Sequence, residues 1–80
     1  MVKVILVYAK WCNVCPTAVK LWRELKSKYD FEYEEVEVDT PPGLKLAAKY
    51  GIRGVPTTII DDKVAFVGVP DKLKAASMVS

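Results

Sequence analysis

A helix-periodic segment set between two strand-like runs constrains this chain more than any other feature. From Thr17 to Tyr29, the residues Ala18, Trp22, Leu25 and Tyr29 recur at steps of four, three and four, with Leu21 beside them. Lys20, Arg23, Glu24 and Lys26 take the remaining surface, as on a solvated helix face. Before this segment, Val2 to Tyr8 is rich in β-branched and large apolar residues and abandons alternation after Val4. That is the pattern of a strand buried on both faces. After it, Phe31 to Asp39 reads as a second strand. Two strands joined by one helix lie parallel, with a right-handed crossover.

Within the second run, Phe31 and Tyr33 share one face, and Val36 and Val38 the other. The Glu34-Glu35 pair breaks the phase, so a bulge or a late strand start is expected. Thr40-Pro41 then opens a helix, because threonine caps well and proline suits the first helical position. Gly51 can close that helix in the left-handed conformation. Pro56 to Ile60 is a third strand and Val64 to Val67 a fourth. Asp61-Asp62-Lys63 between them is too short for anything but a hairpin, so this pair is antiparallel. Asp71 caps a last helix running from about Lys72 to Met78. The order is βαβαββα. It predicts an α/β domain over residues 1–80, a four-stranded mixed sheet with helices on both faces.

Composition narrows the function classes. With 51% apolar residues the chain can build a core despite having only 80 residues. The net charge of +2 is small and evenly spread, which argues against nucleic acid as a partner. No segment is long and apolar enough to span a membrane. Val2 to Tyr8 leads into Lys10-Trp11-Cys12 rather than a small-residue cleavage site, so a cytoplasmic protein is expected. In that compartment paired cysteines are more often catalytic or metal-binding than structural staples. The two cysteines and no histidines do not supply the four ligands of a zinc site, so no metal is expected within one chain.

The cysteines stand in Trp11-Cys12-Asn13-Val14-Cys15-Pro16, where the first strand ends and the first helix begins. Three positions apart there, they can close a disulfide with little backbone movement. The ring is short, so it adds little stability and makes more sense as a reversible redox pair. Unpaired N–H groups and the positive end of the helix dipole favour thiolate at the first cysteine. With Asn13 as the cap, Pro16 falls at the third helical position, where it costs no hydrogen bond. The N–H groups of Val14 and Cys15 then face the Cys12 sulfur. Cys12 is accordingly the expected exposed nucleophile and Cys15 the buried resolving thiol. Trp11 can form an apolar docking surface with Val14, Val55 and Val69 or pack on its own domain. Trp22 reads as core.

Ala9-Lys10-Trp11-Cys12-Asn13-Val14-Cys15 resembles the active-site segment of the thioredoxin and glutaredoxin superfamily, where a tryptophan also precedes CxxC. Gly54-Val55-Pro56-Thr57 resembles that family's cis-proline segment, and Phe66-Val67-Gly68 with Lys72 and Leu73 its closing strand, glycine and helix. The likeness covers essentially the whole chain and is nearest to small archaeal glutaredoxin-like thioredoxins. It implies a minimal thioredoxin-like fold, with Pro56 cis and lying against Cys12 and Cys15. It also implies a substrate-binding set of Trp11, Asn13, Val14, Val55, Pro56 and Thr57, in which the Val55 backbone pairs with an extended substrate segment. Thioredoxins carry a buried Asp on the strand before the motif. Leu6 stands at the matching position, which leaves the resolving cysteine's proton to water or Lys10. Asn13-Val14 matches neither the Gly-Pro of thioredoxins nor the Pro-Tyr of many glutaredoxins, so the resemblance assigns no redox potential.

The expected function is reduction of protein disulfides by a monomer, without cofactor beyond the redox-active Cys12–Cys15 disulfide. Its partners would be disulfide-containing proteins and a reductant, either a thioredoxin-reductase-like enzyme or glutathione. Val69-Pro70 stands where glutaredoxins carry a more polar segment, which weighs against efficient glutathione binding. Two alternatives stay open: a glutathione-dependent glutaredoxin, and an iron–sulfur or metal carrier pooling CxxC pairs from two chains. A redox-inert interaction module would require an unreactive Cys12.

Overall fold

The computed structural model describes residues 1–80. Its elements follow in the order β1 (Lys3–Tyr8), α1 (Cys15–Lys28), β2 (Glu32–Glu37), α2 (Pro41–Tyr50), β3 (Thr57–Ile60), β4 (Lys63–Val67) and α3 (Lys72–Val79). One four-stranded sheet has the order β2-β1-β3-β4. β1 runs parallel to β2 and antiparallel to β3, and β3 runs antiparallel to β4. The α/β mixed sheet is therefore the expected one.

Alternation along β1 divides the molecule into two layers of side chains. Val4 and Leu6 join Ala18, Trp22 and Leu25 of α1 and Ala75 and Val79 of α3 in one apolar cluster, closed by Phe31 and Ile60. Trp22 is at its centre. It meets Phe31 edge-on with ring centroids 6.1 Å apart, and its Nε1–H donates to Thr58 Oγ1 at 3.1 Å. That bond satisfies the one polar atom the indole carries into the core. Val7 of β1 and Val36 of β2 pair in register on the opposite face, the face covered by α2.

Two expectations needed correction. Asn13 does not cap α1: the cap position is Val14, which offers no side-chain bond, and Pro16 falls at the second helical position. The helix reaches back to Cys15, and no side chain caps its first N–H groups. Nor does β2 bulge at Glu34-Glu35. It pairs with β1 without interruption from Glu32 to Glu37, so Glu35 lies on the α1 face beside Tyr33. A carboxylate is tolerated there because Arg23 clamps it through Nε and Nη2 at 2.9 and 2.8 Å. The Tyr33 hydroxyl donates to it at 2.8 Å. The sheet's irregularity falls between β3 and β4, at Thr58/Ile59.

The helix starts of α2 and α3 need no revision. Thr40 Oγ1 accepts from the Gly43 N–H at 3.2 Å, and Asp71 Oδ2 from the Lys74 N–H at 2.9 Å. Gly51 closes α2 with φ +65°. The β3–β4 hairpin turns at Asp61 and Asp62, both with positive φ, 48° and 67°, which the twist of a two-residue connection requires.

Candidate active site

Ala9, buried at the end of β1, accepts the Cys12 N–H at 3.3 Å and starts the turn that brings the chain into α1. Cys12 and Cys15 form a disulfide across that turn, with Cα atoms 5.4 Å apart. Their environments differ. Cys12 is half-buried, whereas Cys15, on the first turn of α1, is 1% exposed. The N–H groups of Val14 and Cys15 find no acceptor within the fold. They leave the positive end of α1 uncompensated beside the sulfurs.

A second segment closes on the pair from across the sheet. The Val55–Pro56 peptide is cis, and Pro56 is buried. The Val55 carbonyl oxygen lies 3.6 Å from Cys12 Sγ, close enough to accept from the thiol when the pair is reduced. Two bonds hold this loop. Gly68 N–H donates to the Pro56 carbonyl at 2.8 Å, and Thr57 Oγ1 donates to the Gly54 carbonyl at 2.8 Å.

The sequence-selected residues thus separate into two groups. Trp11, Val14 and Val55 gather around Cys12, with Trp11 68% exposed, an unusual position for a residue of that size. Asn13 is exposed beside them. Thr57 stands apart: it is buried, and its hydroxyl donates to the Gly54 carbonyl within the loop. Leu6 is fully buried in the α1-side core, so β1 sends no carboxylate into that layer.

Two contributors escape a reading by motif. Asp39 Oδ2 accepts the Trp11 Nε1–H at 2.8 Å and anchors the exposed indole to the turn before α2. No local pattern announces a pairing across 28 positions. Gly43 is buried in α2, where a Cβ would come within 2.0 Å of the Glu37 carbonyl oxygen. Its signal was available: a glycine inside a helical segment often marks close approach.

A groove of about 630 Å³ opens on the α1 flank of the disulfide, lined by Cys12, Cys15 and Tyr8 among others. Below it, Arg23 and then the Tyr33 hydroxyl hold the Glu35 carboxyl below the usual carboxylate range against the opposing effect of burial. Burial foremost, and the Glu35 carboxylate next, push the Tyr33 phenol up. No three His, Cys, Asp or Glu side chains converge anywhere to hold a metal ion.

Residues 2–80 match the family model described as "Thioredoxin domain". The chain is 39% identical over 72 residues to a protein of Archaeoglobus fulgidus described as a probable thioredoxin, covering 90% of this chain and 79% of that one. It is 31% identical over 71 residues to a thioredoxin of Methanocaldococcus jannaschii, covering 89% and 84%. Among solved structures, a mutant thioredoxin from Halobacterium salinarum superimposes with a TM-score of 0.81 at 28% identity, covering 98% of this chain and 71% of that one.

Proposed function

Because this chain belongs to the thioredoxin family, we propose that Cys12 is its attacking thiol, Cys15 its resolving thiol, and Val55 the backbone edge on which substrates dock. The protein is a thiol–disulfide oxidoreductase, a reductase of protein disulfides. The observation that carries the role assignment is the unequal burial of the two cysteines, with Cys12 half-buried beside Val55 and Cys15 only 1% exposed on the first turn of α1.

The reaction starts from the reduced pair. Cys12 thiolate, favoured by the free N–H groups at the start of α1, attacks one sulfur of a substrate disulfide, and the other leaves as thiolate. Cys15 then gives up its proton to water and attacks Cys12 Sγ. The substrate's second sulfur departs with the electron pair, and the Cys12–Cys15 disulfide forms. Two electrons have moved to the substrate, and an external reductant must return two to the pair. The Val55 N–H has no partner within the fold and its carbonyl faces Cys12, an arrangement suited to an extended segment added as a short strand. Trp11, Val14 and Val69 supply apolar area around the exchange point. A monomer served by a cytoplasmic dithiol reductase fits this reading.

Serine variants test the roles. Cys12→Ser abolishes turnover. Cys15→Ser accumulates mixed disulfides on Cys12 that a reductant releases. The opposite trapping pattern reverses the assignment. Equilibration of the pair against a dithiol buffer series completes the test. A midpoint near roughly −270 mV supports a general reductant, and a value tens of millivolts higher indicates glutathione-linked work. Absence of any reversible transition refutes the redox reading.

A further inference from the structure

The groove beside the disulfide has chemistry that the exchange reaction itself does not need. Its floor includes Tyr8 and Val19, and it reaches both cysteines, but none of Gly54 to Thr57 lines it. It is therefore a different surface from the Val55 edge. Four charged residues line it: Lys10, Lys20, Arg23 and Glu24. Two of these are matched inside the fold. Arg23 pairs with Glu35 at 2.8 Å, and Glu24 with Lys72 at 3.1 Å. Lys10 and Lys20 take part in none of the molecule's three ion pairs. An apolar-floored groove at the reacting sulfurs is thus left with two lysines outside any ion pair, Lys10 and Lys20, the latter sharing the field of Glu24 with Lys72.

We propose that this groove is a specificity subsite for polypeptide substrates carrying acidic residues next to the attacked cysteine, with their carboxylates meeting Lys10 and Lys20. The proposal rests on the reading of Cys12 as the attacking thiol. A short acidic segment fits better than a polyanion, because Glu24 interrupts the basic lining where a phosphate backbone would need a continuous stripe. The bond changes are those already described: Cys12 Sγ joins the peptide sulfur, and the other sulfur leaves with the electron pair. The lysines orient the approach and raise the encounter rate.

The test uses the full chain, reduced, and two cysteine peptides presented as mixed disulfides with thiopyridine. The peptides are identical except that aspartates or glycines flank the cysteine. At low salt, the expected kcat/KM for the acidic peptide exceeds that for the neutral one by about fivefold. The advantage shrinks at ~0.5 M salt as screening shortens the reach of the charges. In the Lys10→Ala/Lys20→Ala double variant the acidic-to-neutral ratio falls to about one at any salt, with circular dichroism confirming an intact fold. A ratio of one in the unaltered protein, or an advantage that survives the double substitution, overturns the proposal. If the unaltered protein reduces neither peptide, the attacking-thiol reading fails and takes the subsite with it.

Discussion

The indole Nε1–H of Trp11 donates to Asp39 Oδ2 at 2.8 Å, tying the residue before the attacking cysteine to the turn that launches α2. The bond joins the two parallel strands at their carboxyl ends, where β1 and β2 deliver their chain to the helices. It keeps a large exposed ring in one orientation beside Cys12.

Asp39→Ala frees that ring. The expected stability loss is about 1 kcal/mol in urea unfolding. Trp11 fluorescence becomes more accessible to iodide, while the buried Trp22 stays protected. Substrate kcat/KM falls by up to about fivefold. Asp39→Asn keeps an acceptor and should fall between the two. Unchanged quenching and turnover in Asp39→Ala refute a positioning role for this bond.

The buried pair Trp22 Nε1–H and Thr58 Oγ1 makes a prediction about coupling. Thr58→Val strands the indole N–H in the core and costs about 1–3 kcal/mol. Trp22→Phe removes the donor and leaves a small void, at about 2 kcal/mol. The double variant should lose less than the sum, because neither polar partner remains to be desolvated. Simple additivity in a double-mutant cycle would show that the 3.1 Å contact carries no coupling energy.

Gly43→Ala should destabilise, although alanine is the better helix former by ~1 kcal/mol. The added Cβ meets backbone, 2.0 Å from the Glu37 oxygen and 2.7 Å from the Val38 Cα, and backbone has no rotamer in which to retreat. A net loss of roughly 2 kcal/mol is expected from chemical denaturation. A stabilised variant would mean that α2 can shift off β2 at little cost.

Acid should weaken the fold through Glu35 and Glu24. Arg23 holds Glu35, and Lys72 holds Glu24, below the ordinary carboxylate value of 4.5. A depressed folded pKa contributes stability above the unfolded value and loses it as pH falls through the folded one. Glu35→Gln therefore costs most above about pH 5, and its difference from the unaltered protein narrows below about pH 4. A pH-independent difference would assign the cost of the substitution to packing alone.

The order of elements was legible in the chain because each signal is local. The 3.6-residue recurrence of Ala18, Trp22 and Leu25, the Thr40-Pro41 start, the glycine at 51 and the short link after Ile60 all act within a few positions. The placement of CxxC between a strand and a helix was legible for the same reason. Tertiary structure decided what depends on distant partners. Unbroken alternation puts Glu35 on the α1 face, and a carboxylate is stable there because Arg23 pairs with it and the Tyr33 hydroxyl donates to it, partners no local pattern announces. Asp39 joins Trp11, and Gly43 admits β2, only once the parallel crossover has brought those segments together. Periodicity fixes which residues share a face. The free energy of burying a charge or closing a contact is settled by groups tens of residues away, so that part emerges only in three dimensions.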